Sequence, residues 1–409
     1  MPAIALIGAL DTKPAEYAFL RDRIGELGAS SVLIDVGVLG EPGLSALAQS
    51  HTITRQTVAQ AGGGELDELR RVGDRNSAMT VMGRGAAVIV LELVARGEVD
   101  AVLAVGGSNA AYVMAEVCAA LPLGLPKVLV STIAAGDTTA YVREADLTLM
   151  YPVVDINGLN RLSRPVLANA AAACVGMASA PRESTDDGAL VAVSMFGVTT
   201  VCGSSVVTGL DEHGIEAVTF HCTGVGGRTL ESLVRSGGVQ AVADLTTTEL
   251  ADELVGGVCS AGASRLTAAA SAGVPQVVSV GALDMVNFYG PERVPSQFQT
   301  RHLYPHNPAV TLMRTSVDEC AELGRRIAAR INPSTGPVAV LFPHQGLSQL
   351  SVPGAPFHDP AADHALYTNL RATLRADIVV HDFDTDINDP AVSAAAVDLL
   401  ATWLEKETR

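Results

Sequence analysis

The stretch from Ile4 to Lys13, IALIGALDTK, runs an unbroken series of apolar residues and glycine straight into an aspartate, a threonine and a lysine. The apolar run is what a parallel strand covered on both faces requires. Pro14 suits the first position of a helix expected over 14–28. Asp11, Thr12 and Lys13 are therefore expected between the carboxyl end of a strand and the amino end of a helix, where open α/β sheets bind ligands. An ammonium group there would offset phosphate charge, and a carboxylate could hold a magnesium ion, which assigns that metal role to Asp11.

Two glycine turns extend the same chemistry. VGGSNAA (Val105 to Ala111) offers Gly106, Gly107 and Ser108, and TGVGGRTLE (Thr223 to Glu231) offers Thr223, Gly224, Gly226 and Gly227. Backbone N–H groups at a helix start, carrying about half a positive charge, hold phosphate, and glycine admits it closely. The same sequences also serve tight β-to-α turns that need glycine for their dihedral angles, and both readings stand. Neither G-x-x-x-x-G-K-[ST] nor G-x-G-x-x-G is present, which weakens assignment to ordinary P-loop nucleotidases and Rossmann dehydrogenases. Asp35 closes the next strand near the spacing at which an acid takes ribose hydroxyls, or it caps a turn. Ser131 and Thr132 end a further strand.

Acid and base candidates lie in the second half. His221 precedes Cys222, and if Phe220 continues a strand, one of that pair points into the fold. Asp284 and His306 fall in GALDMVNF and PHNP, expected to be long irregular segments where functional groups collect. In HLYPH, Pro305 prevents the helix that would aim two histidines at one zinc ion. HDFDTDINDP begins like a calcium loop, but Ile387 stands where glycine is required and Ser393 where the bidentate glutamate belongs, so a solvated turn before the last helix is expected. No G-x-S-x-G occurs.

These residues need a scaffold, and the β/α alternation supplies one twice, with a polar break at SAPRESTDDG. Domains are expected at 1–180 and 188–409, joined by a linker at 181–187. IALIGALDT…SVLIDVGVLG overlays VAVSMFGVTT…AVTFHCTGVGG without a gap, and AVLAVGGSN parallels AVADLTTTE, as an internal duplication would leave them. The expected fold class is therefore α/β, with two Rossmann-like doubly wound parallel-sheet domains. Facing strand edges would enclose a polar cleft. Residues from about 40 to 97 are extra to the first half and carry a long helical pattern after Asp74, whose methionines are expected in core or dimer packing.

A chain of 409 residues with 48% hydrophobic content exceeds what one core usually serves. The amino terminus lacks a signal-peptide pattern and no long uninterrupted apolar run appears, so a cytoplasmic protein without a membrane span is expected. Six scattered cysteines with no C-x-x-C pair are expected to be reduced and mostly buried. A net charge of −17 with no basic run argues against nucleic acid. Of 27 basic residues only Lys13, Lys127 and Lys406 are lysines, and Lys13 alone sits where a phosphate could be.

The ordered set GALDTKPAEYAFLRD, DVGVLG, LPLGLPKVLVST, DINGLNRLSR, FHCTGVGGRTLE, GALDMVNF and HNP resembles uncharacterised protein family 0261, which includes the ATP-binding domain of a plant tobamovirus-resistance protein. The resemblance spans essentially the whole chain. It implies two Rossmann-like subdomains, a dimer, and binding of ATP or a related nucleotide through Asp11, Thr12 and Lys13, through Gly106, Gly107 and Ser108, and through Thr223 to Gly227. Where the family continues with further glycines and a threonine, this chain has Asn109, Ala110 and Ala111.

Three functions remain open at this level. The first is an ATP-like nucleotide site, with magnesium as a companion and a small molecule as partner. The second is an enzyme acting on a small acid or sugar acid, with His306, His221 or Asp284 as acid/base group. The third is a regulatory binding protein without chemistry.

Overall fold

Each apolar run of the first half forms a strand whose two faces are covered. The computed structural model describes residues 1–40, 51–181 and 188–407. The chain divides into two compact units, Met1–Ser184 and Thr185–Arg409. Of the linker expected at 181–187, residues 182–187 lie outside the described residues.

Unit 1 holds β1 (Ala3–Gly8), β2 (Ser30–Asp35), β3 (Thr52–Ile53), β4 (Ala101–Gly106), β5 (Lys127–Ser131) and β6 (Thr148–Met150), all parallel, in the order β3-β2-β1-β4-β5-β6. The strand order reverses between β1 and β4, which creates a crevice at their carboxyl ends. Helix Arg75–Ala95 begins where Asp74 accepts from the N–H of Asn76 and Ser77. It is long and apolar enough to cross a bilayer by composition, yet half of its most apolar window is buried, with Met82, Ala86, Val90 and Leu93 in the core over β1 and β4. Lys127 lies buried at the opposite edge of the sheet, donating to Asp146 at 2.6 Å and to Pro122 O at 2.7 Å.

Unit 2 holds β7 (Leu190–Met195), β8 (Glu216–His221), β9 (Ala241–Thr246), β10 (Gln276–Gly281), β11 (Met285–Tyr289), β12 (Leu303–Asn307), β13 (Val310–Arg314), β14 (Val338–Pro343) and β15 (Val379–Phe383). Its parallel sheet runs β15-β14-β10-β9-β7-β8. The run β8-β7-β9-β10 repeats the run β2-β1-β4-β5 of unit 1, the shared order that a duplication predicts. One detail of the ungapped overlay is corrected by the pairing. Ala3 stands opposite Ser30, whereas Leu190 stands opposite Glu216, one residue nearer in sequence, so His221 and not Cys222 takes the place of Asp35.

The segments expected to be irregular are a second correction. β11, β13 and β12 form an antiparallel sheet inserted between β10 and β14. Pro305 is tolerated because β12 is an edge strand with an irregular register between Pro305 and Asn307. The alternation that marks strands is hidden in β11, where Met285, Val286, Asn287 and Phe288 are all buried.

Candidate functional site

At the β1–β4 crevice of unit 1, the end of the apolar run lifts Lys13 to the first turn of helix Pro14–Glu26. A Cβ placed on Gly106 would stand 3.7 Å from Lys13 Cε, so the lysine stem lies against the glycine turn. Its Nζ donates to Ile156 O in the loop that leads into helix Ser163–Ser179. Glu16 Oε1 accepts from Gly158 N at 2.7 Å and pins that loop from the same helix. Helix Ser108–Ala120 starts after Gly107 with no side chain capping its first N–H groups, and space beside Gly107 is open. The Asn109 amide, its oxygen turned to Arg75, accepts from Nη2 at 2.7 Å, which brings a second cation to this turn. Tyr17 ties the crevice together: its hydroxyl accepts from Val105 N at 2.9 Å and donates to Ile7 O. Burial raises the Tyr17 pKa well above that of a free phenol, so the hydroxyl keeps its proton.

The other unit 1 candidates are held differently. Asp35 is buried: its Oδ1 accepts from Leu10 N at 3.1 Å and Gly37 N at 2.9 Å, and its Oδ2 accepts from Arg55 Nε at 2.8 Å. It orders the turn, and the ribose role is withdrawn because its oxygens already face these donors. Asp11 Oδ2 accepts from Gly40 N at 3.0 Å and lies 3.9 Å from Arg55 Nη1. Oδ1 has no hydrogen-bond partner among the described residues, but a guanidinium beside the carboxylate is a poor neighbour for a cation, and no cluster of three metal-ligating side chains occurs among them. The magnesium role does not fit Asp11. Thr12 is exposed and its hydroxyl turns back to Ala9 O. Ser131 is fully buried, accepts from Ile133 N, and leads into the half-buried Thr132.

In unit 2 the glycine turn is filled by the chain itself. Glu249 Oε1 accepts from Gly224 N at 2.7 Å and from Gly227 N at 3.0 Å. A Cβ on Gly227 would stand 1.9 Å from Glu249 Oε2, and one on Gly226 would stand 2.0 Å from His221 O. The N–H groups of Gly224 and Gly227 already donate to Glu249, so their phosphate role gives way to an internal carboxylate, and Gly226 is pressed against the His221 carbonyl. Beneath it Arg265, fully buried, binds Asp244 through both Nη atoms at 2.5 Å and reaches Glu231 Oε1 at 3.3 Å. Glu231 also accepts from the N–H of Leu266, Thr267 and Ala268.

The acid/base candidates separate. His221, Thr223 and His306 line one cavity of about 420 Å³, bounded by the loops after β7 and β8 and by the antiparallel sheet. Asp284 lies outside its lining, fully buried, accepting from Ser348 Oγ at 2.7 Å. Burial pushes its pKa up to about 6, against the opposing pull of Arg314. Cys222 is fully buried and its thiol is raised far from ionisation by burial and by Glu249, which excludes a thiolate at that position.

The amino-terminal domain model of the uncharacterised protein family UPF0261 matches residues 2–183, and its carboxyl-terminal domain model matches residues 188–404. The chain belongs to family UPF0261. A UPF0261 protein of Clostridium tetani is 42% identical over 406 residues, covering 98% of this chain and 99% of that one. The ToMV resistance protein Tm-1(GCR237) of Solanum lycopersicum is 35% identical over 422 residues, covering 97% of this chain and 55% of its own length. Among solved structures, MurG of Acinetobacter baumannii aligns over 98% of this chain and 100% of its own at 12% identity, with a TM-score of 0.24, too low to bear on function.

Within this UPF0261 chain, the residues that sequence reasoning missed are those that act at long range. Glu249, Arg265 and Arg75 come from distant elements, and no local motif marks their roles. DINGLNRLSR was a signal for the Ile156 loop, since it is polar and glycine-bearing and belongs to the family's ordered set.

Proposed function

We propose that this protein binds an ATP-like phosphorylated small molecule at the carboxyl rim of unit 1, in the crevice between β1 and β4. The observation that carries the reading is the contact of the Lys13 stem with Gly106 beside the uncapped start of helix Ser108–Ala120. A phosphate there would accept backbone N–H bonds of the first helical turn and an ammonium hydrogen bond. Lys13 would turn from Ile156 O to the ligand. A side chain on Gly106 would meet Ala110 Cβ at 2.7 Å, so the close packing of the strand end on helix Ser108–Ala120 requires glycine there. The nucleotide identity of the ligand comes from the resemblance to the family.

A cytoplasmic setting and a homodimer accompany this reading. Six unpaired thiols support the first, and the family resemblance supports the second. Light scattering on the eluting protein, reading 42.1 kDa or twice that mass, tests the dimer.

Isothermal titration with ATP, with and without Mg²⁺, tests the site. The Lys13→Ala variant is expected to bind roughly 10- to 100-fold more weakly, since a charge-assisted hydrogen bond contributes about 1.5–3 kcal/mol. Absence of binding by the natural chain would overturn the nucleotide reading. Equal affinity in the variant would remove only Lys13 from it.

A further inference from the structure

Between β6 and helix Ser163–Ser179 the chain makes a turn that its sequence does not favour. Val153 has φ +67°, and Val154 N donates to Pro152 O at 2.7 Å across it, which makes a γ-turn of the rare, strained hand. A β-branched residue is poorly suited to that region. The Val153 side chain is 70% exposed, so no packing of its own offsets the strain.

Strain of this kind persists only where the surroundings over-determine it. Here they do. Pro152 and Ile156 are buried on either side of the turn, Ile156 in the core that holds Leu10 and Tyr17. Helix Pro14–Glu26 and its cap add two hydrogen bonds: Lys13 Nζ donates to Ile156 O, and Glu16 Oε1 accepts from Gly158 N at 2.7 Å. Glu16 is buried, whereas Lys13 is half-buried and lies against the glycine turn at Gly106. A Lys13 ammonium that turns to a phosphate beside Gly106 must leave Ile156 O. The strained turn then loses one of its tethers as the ligand arrives.

We propose that residues 152–158 form a latch on the phosphate crevice, closed while Lys13 donates to Ile156 O and released when Lys13 engages a phosphate, with the strain at Val153 favouring release. The latch rests on the phosphate reading of unit 1 and adds a means of regulating that site. Because the coupling is mutual, whatever holds the latch closed lowers phosphate affinity, and the phosphate loosens the latch by the same factor.

Hydrogen exchange on the full chain reads the latch through three amides. Val154 N–H donates to Pro152 O, Ile156 N–H to Asp155 Oδ1 at 2.8 Å, and Gly158 N–H to Glu16. With saturating ATP these amides are expected to exchange about tenfold faster or more, against the slowing that a ligand brings elsewhere in unit 1. Lys13→Ala is expected to speed them similarly without ATP. Val153→Gly removes no phosphate contact and relieves the strain of the closed form. It is expected to bind ATP roughly fivefold more weakly or worse, with a melting temperature no lower than that of the natural chain. The proposal is overturned if ATP binds while the three amides keep their protection, or if Lys13→Ala leaves them protected. It is equally overturned if Val153→Gly binds ATP as the natural chain does, or loses affinity only together with stability. Failure of the unit 1 reading shows separately, as absence of ATP binding by the natural chain in calorimetry, and would remove the coupling with it.

Discussion

Arg265 Nε donates to Glu249 Oε2 at 2.6 Å with both side chains fully buried, while the other oxygen of Glu249 closes the glycine turn after β8. Three carboxylates converge on this guanidinium, and backbone N–H groups take much of the remaining negative charge. Removing the cation would leave buried anions unpaired. Arg265→Met is expected to lower the unfolding free energy by about 3–5 kcal/mol, read from the urea midpoint. A midpoint within experimental error of the natural chain would show that the cluster does not depend on its cation.

Gly8 and Tyr17 give a second expectation. A Cβ on Gly8 would stand 1.9 Å from Tyr17 Cζ, so Gly8→Ala must displace the ring that bridges β1 and β4. Overpacking of this kind costs about 1–3 kcal/mol, and loss of ATP affinity is expected with it because Lys13 follows the same strand. Chemical unfolding and calorimetry on one variant separate the two effects. Tyr17→Phe, which leaves the Val105 N–H unsatisfied, is expected to weaken both in the same direction.

Asp252 and Asp284 make stability fall as pH rises. Burial pushes Asp252 up to about 7, opposed by hydrogen bonds from Asn287 and Cys259, and Asp284 up to about 6. In the unfolded chain both lose their protons near pH 4. Between those limits the folded form holds protons that the unfolded form has released, so each group favours folding at the acid end and loses that advantage as pH climbs to its folded value. Urea unfolding at pH 5, 6 and 7 is expected to show the decline, and Asp252→Asn and Asp284→Asn to flatten it. A slope unchanged in the double variant would assign the effect elsewhere.

Thiol accessibility is the fourth expectation. Cys118, Cys174, Cys202, Cys222 and Cys320 are buried and Cys259 is half-buried. Burial raises Cys259 to about 12, so even this thiol is expected to react slowly with an aromatic disulfide at pH 8, ahead of the other five. Rapid modification of Cys222 in the folded protein would contradict its burial.

The parts of this fold that could be read in advance are those whose signal is local. The apolar run before Asp11, the helix opened by Pro14 and the cap at Asp74 each depend on neighbours in the chain, and each lies where the residues pointed. Asp35 was ambiguous in sequence because a carboxylate at a strand end can face a ribose or its own turn, and only the approach of Arg55 decides. The antiparallel insert was hidden by the even burial of β11 and by the proline in β12. The buried amide of Asn287 gave no sign in sequence, since its partner Asp252 arrives from helix Glu249–Val255.

The tethering of Glu249 sets the two glycine corners apart in a way that composition could not suggest. A carboxylate anchored a few ångströms from its donors competes as though enormously concentrated, so dissolved phosphate or sulfate has little prospect of displacing it. The corner in the second half is thus a lock with its key cast in place, deaf to the metabolite pool.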